Sequence, residues 1–260
     1  MSMLRFAGAL SATSLRAVLA DRGAFLMRAG LMALNNGIFF TFWIVLLTRV
    51  PSVRGYELGD VAVLYGIVAL AHGMAAFLAG GIHHLARMID DGDLDALLAQ
   101  PKPTLLYAIG MRSDPSGLGD IVSGLIMIGL SGRITVFSVP LIVLAGVAGA
   151  IVLASTAVIL HSAAFWLGRT STASRQLYEG TLLFSLYPDT LFGGPVRLAL
   201  FTIFPGAFVG YLPARLIREP SWSTGVIILL SVIVYSSLAR WVFRKGLRSY
   251  SSGNRFVTFG

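Results

Sequence analysis

Long apolar runs separated by short polar stretches dominate the pattern of this chain. Four runs carry no charged residue and cover 29–48, 61–82, 134–168 and 220–239. Each is long enough to cross a bilayer, which takes roughly 20 residues in a helix. Each is also continuously apolar, whereas a strand of a membrane barrel alternates apolar and polar side chains over about ten residues. The pattern therefore predicts an all-α, polytopic membrane protein.

Two further spans are expected where the pattern is less regular. One covers 113–131, although Asp114 and Asp120 interrupt its apolar residues. The other begins near Tyr178 and runs into 189–219, which is rich in proline and glycine. Proline at this density breaks or kinks helices, and non-helical backbone is tolerated at membrane depth only where protein or a cavity surrounds it. We therefore expect six spans, with broken or re-entrant helices after the fifth.

The first 25 residues also carry a helical pattern, but a weaker one. Phe6 and Leu10 fall on one side of a helix, and Arg5 and Arg16 fall on another. A helix with one apolar and one basic side lies in the plane of the membrane interface. We expect 1–25 to form such an interfacial helix and to lead into the first span.

The charge distribution indicates an orientation. Only 12% of the residues are charged, compared with about 25% in soluble domains. Eighteen arginines and two lysines flank the apolar runs, and fourteen of these twenty lie on the side that would hold both termini of a six-span chain. The excess of basic residues on cytoplasmic loops places both termini in the cytoplasm of a cell-membrane protein. The chain has no cysteine, which excludes disulfides and thiolate metal sites.

The acidic stretch DDGDLDALLAQPKP, at 90–103, is the chain's densest cluster of carboxylates. A calcium loop would need glycine at its sixth position and glutamate at its twelfth, and neither register of this stretch provides them. A solvated loop remains possible. Alternatively, Leu94, Leu97 and Leu98 form an apolar stripe on a short helix, with an aspartate at its N-terminus and Pro101 after its end. Exposed leucines on such a helix would dock on another protein.

Four motifs carry a resemblance to a known family. They are Phe42-Trp43 in the first span, GDLDALLAQP at 92–101, IFPGAFVGYLPARLI at 203–217 and GLRSYSSGNRF at 246–256. In this order they resemble the ABC-2 type permeases, the membrane subunits of ATP-binding-cassette exporters, over essentially the whole chain. The resemblance implies one transmembrane domain over 1–260, with a coupling-helix loop at 83–103 and a re-entrant region at 189–219.

The resemblance also implies partners. The chain contains no G-x-x-x-x-G-K-[ST] phosphate loop, so we expect no catalytic, cofactor or metal site here, and ATP and Mg on a separate ATPase subunit. A second permease subunit, identical or not, would complete twelve helices. We also expect contact with the lipid bilayer and none with nucleic acid. Two segments would contact the ATPase, first 87–98 and second the loop 168–176. The residues predicted to contact the ATPase are Arg87, Asp90, Asp91, Asp93, Leu94, Asp95, Leu97, Leu98, Arg169 and Arg175.

The second span carries a seam of small residues spaced three and four apart. Small side chains let a neighbouring helix approach closely. The seam either packs within the subunit or forms a sliding surface between subunits. Its members are Ala62, Gly66, Ala69, Gly73, Ala76 and Gly80.

Polar residues inside the apolar runs are few, and they either form interhelical hydrogen bonds or line a translocation path. The predicted path residues are Asn35, Asn36, His72, His161 and Asp189. Asp189, beside a proline, is the best candidate to contact a cationic group, which would suit an amphipathic or cationic substrate.

Two other functions compete with an ABC permease. A proton-coupled secondary transporter could use His72, His161 and Asp189 as a relay. An intramembrane serine protease could pair Ser123 with His161, but Ser123 lacks the expected glycine two residues before it.

Overall fold

A computed structural model describes residues 3–202 and 204–250, and this part of the chain is 81% helical and contains no strand. The described residues form thirteen α-helices. The first seven are α1 (Met3–Leu19), α2 (Arg22–Arg49), α3 (Leu58–Ala79), α4 (Leu85–Asp90), α5 (Leu94–Leu98), α6 (Thr104–Gly110) and α7 (Ser116–Leu130). The others are α8 (Ser138–His161), α9 (Ala164–Leu167), α10 (Ser171–Ser185), α11 (Gly194–Thr202), α12 (Leu212–Arg218) and α13 (Trp222–Ser249).

Four helices are long and apolar enough to cross a membrane. They are α2, α3 with its continuation to Asp90, α8 with its continuation through α9, and α13. Within the re-entrant region, α11 and the helix that covers Ala207–Arg218 are bent by 73° relative to each other, and they count as a fifth span only if the pair is taken as one. Helix α7 is apolar but only 15 residues long. Length and composition thus give four to five spans in the described part, and the count of six remains a prediction.

Several boundaries differ from those predicted. Helix α10 begins at Ser171 rather than near Tyr178, so most of the expected 168–176 loop is helical. Helix α13 continues ten residues past the predicted end at Ala239. At the other end of the chain, α1 and α2 are separate helices because Asp21 caps α2 by accepting the Ala24 N–H at 2.9 Å. The side chains of Arg5 and Phe6, Ile203 of the third family motif, and 251–260 with Arg255 lie outside the described residues.

Helix α3 is the centre of the fold, and α7 packs directly on its seam of small residues. A Cβ atom on Gly73 would lie 2.5 Å from the carbonyl oxygen of Gly117, and one on Gly124 would lie 2.6 Å from that of Gly66. Both separations are too short for any side chain, so only glycine allows the two backbones to touch. The other seam members, Ala62, Ala69, Ala76 and Gly80, are also buried. The seam is therefore covered within the chain, which corrects the idea of a sliding surface between subunits.

At one end of the bundle, ion pairs tie the re-entrant region to the start of α3. Asp60, 3% exposed at its side chain, accepts from the Nε atoms of Arg133 at 3.2 Å and Arg218 at 3.1 Å. Glu57 accepts from Nη2 of Arg133 at 2.6 Å. The guanidinium of Arg218 also lies 5.0 Å from the ring centre of Tyr56. These contacts fix this end of α3 against α12 and the loop after α7.

Candidate functional site

The predicted coupling segment is a compact pair of short helices. Helix α3 continues through a 3₁₀ turn at Gly80–His84 into α4, and the chain then reverses at Gly92 into α5. Gly92 has a φ of +78°, a left-handed conformation that favours glycine. The Asp95 N–H donates to the Gly92 carbonyl at 3.2 Å, which closes the turn.

The leucine stripe of α5 faces the protein, not the solvent. Leu94 is fully buried and Leu97 is 6% exposed, whereas Leu98 is 41% exposed. The two buried leucines join one apolar cluster with Leu85 of α4 and Ala108 of α6. The expectation that all three leucines are exposed was therefore wrong for Leu94 and Leu97, because α4 and α6 cover them.

What the segment does expose is charge. Asp90, Asp91 and Asp93 are exposed and together form what we term the acidic rim, while Asp95 is half-buried. Arg87 and Leu98 are exposed beside the rim. The acidic rim and Leu98 are thus presented outward by a buried leucine anchor.

The second predicted contact loop lies close to the first. Helix α4 packs on α9, and the charge of Arg169, just after α9, acts on Asp90. Arg175 is exposed and donates from Nε to Glu179 Oε1 at 2.8 Å. Arg169 therefore lies near the acidic rim and adds a positive charge beside it. Arg175 lies one helical turn into α10.

The C-terminal end of α13 packs against α9, next to the coupling segment. The ring of Phe165 contacts those of Phe243 and Tyr250, with centroids 5.6 and 6.0 Å apart. A Cβ atom on Gly246 would overlap the Phe165 ring, so glycine is required for this contact. Burial, followed by the carboxylates of Asp95 and Asp93, raises the pKa of Tyr250 to about 12. The coupling segment, α9 and α13 thus share one core.

A buried polar cluster joins three of the apolar helices. Asn36 Nδ2 of α2 donates to Asp120 Oδ1 of α7 at 2.7 Å and to Ser123 Oγ at 2.8 Å. His72 Nδ1 of α3 lies 2.9 Å from Asp120 Oδ2. Asp120 is only 2% exposed. A carboxylate at this depth is tolerated because both of its oxygens have hydrogen-bond partners.

This cluster lies in the wall of a cleft made of two cavities. The larger, which we term the vestibule, has a volume of about 1000 Å³ and is lined mainly by polar and basic residues. The smaller, which we term the aromatic cavity, has a volume of about 430 Å³. Met32, His72 and Leu182 line both. The two cavities are therefore adjacent, and His72 lies between them.

Comparison with protein families supports one of the candidate functions. A family model described as "ABC-2 family transporter protein" matches residues 33–253. The chain belongs to this family. No curated protein and no solved structure matches it.

Membership makes the chain a membrane component of an ABC transporter, and it bears out the family resemblance drawn from the motifs. The matched range contains the whole coupling segment and every residue of the buried polar cluster. It begins within α2, so α1 lies outside it. The ABC-2 family transports rather than catalyses, and it implies an ATPase partner.

The structure of this ABC-2 protein separates the five predicted path residues into two groups. Asn35, Asn36 and His72 line the aromatic cavity, whereas His161 and Asp189 line neither cavity. His161 is buried, and its Nδ1 bonds the Ala157 carbonyl at 2.8 Å. Its Nε2 is buried and has no hydrogen-bond partner among the described residues, so His161 lies in the core with one ring nitrogen unsatisfied.

Asp189 forms an ion pair and a hydrogen bond away from the two cavities. Its Oδ2 accepts from Arg197 Nη2 at 2.9 Å, and its Oδ1 accepts from the Tyr56 hydroxyl at 3.0 Å. Its charge is therefore neutralised within the re-entrant region. The expectation that Asp189 contacts a cationic group in the path is corrected, and Asp120 is the carboxylate that lines the aromatic cavity.

The competing constellations are not assembled in the described residues. No described hydrogen bond joins Ser123 to His161, since Ser123 bonds Asn36 and the Asp120 carbonyl. None joins His72, His161 and Asp189 to one another either. The ring of His83 instead lies 6.2 Å from that of His161 and 5.1 Å from that of Tyr178. Sequence reasoning missed both His83 and Asp120, although each is an ionisable residue next to or inside an apolar run.

Proposed function

We propose that this chain is the permease subunit of an ABC exporter and works by alternating access. A separate subunit would bind and hydrolyse ATP with Mg, and this chain would supply the path and the lever. One observation besides the family carries the proposal: the acidic rim and Leu98 face outward from a leucine anchor that is buried in the transmembrane core. Such a surface suits a basic groove on a partner.

The buried leucines Leu94 and Leu97 explain how a displacement of the acidic rim would be transmitted to the transmembrane helices. Leu94 and Leu97 share their cluster with residues of α3, α8 and α13. Helix α3 runs through the 3₁₀ turn directly into α4, so displacement of the coupling segment acts on α3 itself. Because α7 contacts α3 backbone to backbone at Gly73 and Gly117, the two helices would move together. Both carry members of the buried polar cluster, at the wall of the cleft.

The orientation and assembly belong to the same proposal. Both termini and the acidic rim would face the cytoplasm of the cell membrane, since most basic residues flank that side. A second permease subunit, a copy of this chain or a similar one, would complete the path. The whole of 1–260 would act as one ABC-2 domain with 83–103 as its coupling loop.

The test is co-purification in mild detergent, with ATP hydrolysis measured on whatever binds the tagged chain. Asp91→Lys/Asp93→Lys reverses two exposed charges of the rim and leaves the anchor intact. Glu219→Lys is the control, because Glu219 is an exposed carboxylate like Asp91 and Asp93 but lies outside 83–103. We expect an ATPase with the wild type and the control, and its loss from the double variant. A wild-type chain that purifies without any ATPase would contradict the proposal.

A proton-coupled secondary transporter remains the second candidate because of one observation, the contact between His72 and Asp120 within apolar helices. Such a transporter would move substrate in vesicles under a pH gradient without ATP, and His72→Gln would abolish that movement. An ABC permease requires ATP in the same vesicles, whichever way the gradient points.

A further inference from the structure

Four arginines from four separate elements converge on the vestibule. They are Arg28 of α2, Arg87 of α4, Arg112 just before α7 and Arg175 of α10. Two carboxylates, Asp114 and Glu179, line the same cavity. With neutral histidines, the wall therefore carries a formal excess of two positive charges.

Most of this positive charge has no ion-pair partner among the described residues. Arg175 is bound by Glu179. Asp114 Oδ1 accepts instead from the backbone N–H of Ser116 at 3.0 Å and from its hydroxyl at 2.8 Å. The described residues provide no ion pair for Arg28, Arg87 or Arg112. An anion in the vestibule would therefore meet guanidinium groups that are free to donate.

Arginines at the cytoplasmic ends of helices are expected for orientation alone. Arg244 and Arg248 near the end of α13 are of this kind, since they are exposed and line neither cavity. The vestibule arginines differ because distant parts of the chain bring them to one concave space. Orientation does not require that convergence.

The aromatic cavity that adjoins the vestibule has the opposite character. Its wall includes Phe39, Trp43, Tyr65 and Tyr187, and it carries no arginine or lysine. Its one carboxylate, Asp120, already accepts from Asn36 and contacts His72. This space suits an apolar chain or ring more than a free cation.

We propose that the cleft binds an anionic amphiphile, with its phosphate or carboxylate head at Arg28 and Arg112 and its apolar tail in the aromatic cavity. This inference rests on the proposed permease function, since it names the class of substrate that the permease would carry. It also replaces the expectation of a cationic substrate, because Asp189 is paired with Arg197 and Asp120 is bound within the polar cluster.

Trp43 provides a reporter inside the cleft. In the full-length chain, Trp166, Trp222 and Trp241 are changed to phenylalanine, and the protein is placed in nanodiscs of zwitterionic lipid. Dodecyl phosphate is titrated while Trp43 fluorescence is followed. Dodecyltrimethylammonium tests a cationic head on the same tail, and inorganic phosphate tests the head without a tail.

We expect a saturable change with dodecyl phosphate and none with the other two compounds. Arg112→Gln should weaken binding about tenfold, since one charge-assisted contact is lost, and Arg28→Gln/Arg112→Gln should weaken it further. Arg244→Gln, outside the cleft, should bind as the wild type does. Equal binding of the cationic amphiphile, or an unchanged affinity in Arg112→Gln, would overturn the inference, and binding of inorganic phosphate as tight as that of dodecyl phosphate would overturn its amphiphile part.

Failure of this inference can be told apart from failure of the proposed function. Co-purification of an ATPase is tested by charge reversal at Asp91 and Asp93, and neither residue lines the vestibule. In the complex with that ATPase, dodecyl phosphate should raise the rate of ATP hydrolysis, and this rise should be absent in Arg28→Gln/Arg112→Gln. An ATPase complex that binds dodecyl phosphate without any change in hydrolysis would overturn its role as substrate while leaving the permease function intact.

Discussion

Asn36 and Asn35 are neighbours whose substitution should affect stability very differently. Asn36 is buried and donates to Asp120 and Ser123, whereas its neighbour Asn35 is exposed and makes no hydrogen bond among the described residues. Asn36→Leu removes two interhelical hydrogen bonds and leaves one carboxylate oxygen without a donor. Asn35→Leu removes an exposed amide and nothing else.

The size of the effect can be bracketed. Interhelical hydrogen bonds in membrane proteins contribute about 0.6 kcal/mol each on average, so two of them set a lower bound of about 1 kcal/mol. A hydrogen bond to a charged group contributes about 1.5–3 kcal/mol, which sets the upper bound near 3 kcal/mol. At roughly 2–4 °C per kcal/mol for a chain of this size, Asn36→Leu should lower the unfolding temperature by about 2–12 °C.

Thermal unfolding of the detergent-solubilised chain, followed by tryptophan fluorescence, measures this difference. Asn35→Leu should unfold within about 2 °C of the wild type, as expected for an exposed substitution worth less than about 0.5 kcal/mol. Equal unfolding temperatures for Asn36→Leu and Asn35→Leu would refute the view that Asn36 supports a charged Asp120. A larger loss in Asn35→Leu would refute the placement of the two side chains.

Three further predictions concern packing, charge and pH. Gly73→Val should prevent α3 from contacting α7 and destabilise the fold by about 3 kcal/mol or more, while Gly129→Val, on α7 with open space around it, should be tolerated; the yield of monodisperse protein measures both, and a well-folded Gly73→Val would contradict the contact. Asp60→Asn removes the buried charge that pairs with Arg218 and, beside Glu57, with Arg133, and should destabilise by about 1–3 kcal/mol, whereas Glu57→Gln, at an exposed pair, should cost about 0–1 kcal/mol; equal unfolding temperatures would refute a role for Asp60. The pKa of Tyr250 rises from an ordinary value near 10 to about 12 on folding, so its contribution to stability is complete below pH 10 and is lost as the pH rises towards 12. Tyr250→Phe should accordingly lose less stability than the wild type between pH 10 and 12, and parallel curves would contradict the burial of this phenol.

The long spans were predictable because their signal is local. Helices α2, α3, α8 and α13 each overlap one of the uncharged runs, and a run of that length has few alternatives to crossing the bilayer. The seam of small residues was equally visible in the sequence. Its partner was not, since the glycines of α7 that cover it lie about fifty residues away, and nothing local sets their register.

The candidate site was harder to predict because its residues are completed by distant ones. Asp120 looked like an interruption of a span until Asn36 and His72 supplied its partners. Asp189 looked like a path residue until Arg197 neutralised it. The stripe of Leu94, Leu97 and Leu98 correctly indicated a short helix, but helical spacing alone does not say whether a stripe faces a partner or the chain's own core.

The chain contains no cysteine, so a single introduced thiol reports its own surroundings without background. Leu98→Cys, in the exposed part of the coupling surface, would be crosslinked in membranes to co-expressed partners and compared with Ser223→Cys, an exposed position at the start of α13. If the acidic rim docks on an ATPase, Leu98→Cys yields a crosslinked product that contains an ATP-binding subunit, and Ser223→Cys does not. Failure of Leu98→Cys to capture such a subunit, or equal capture by Ser223→Cys, would contradict the coupling role of this surface.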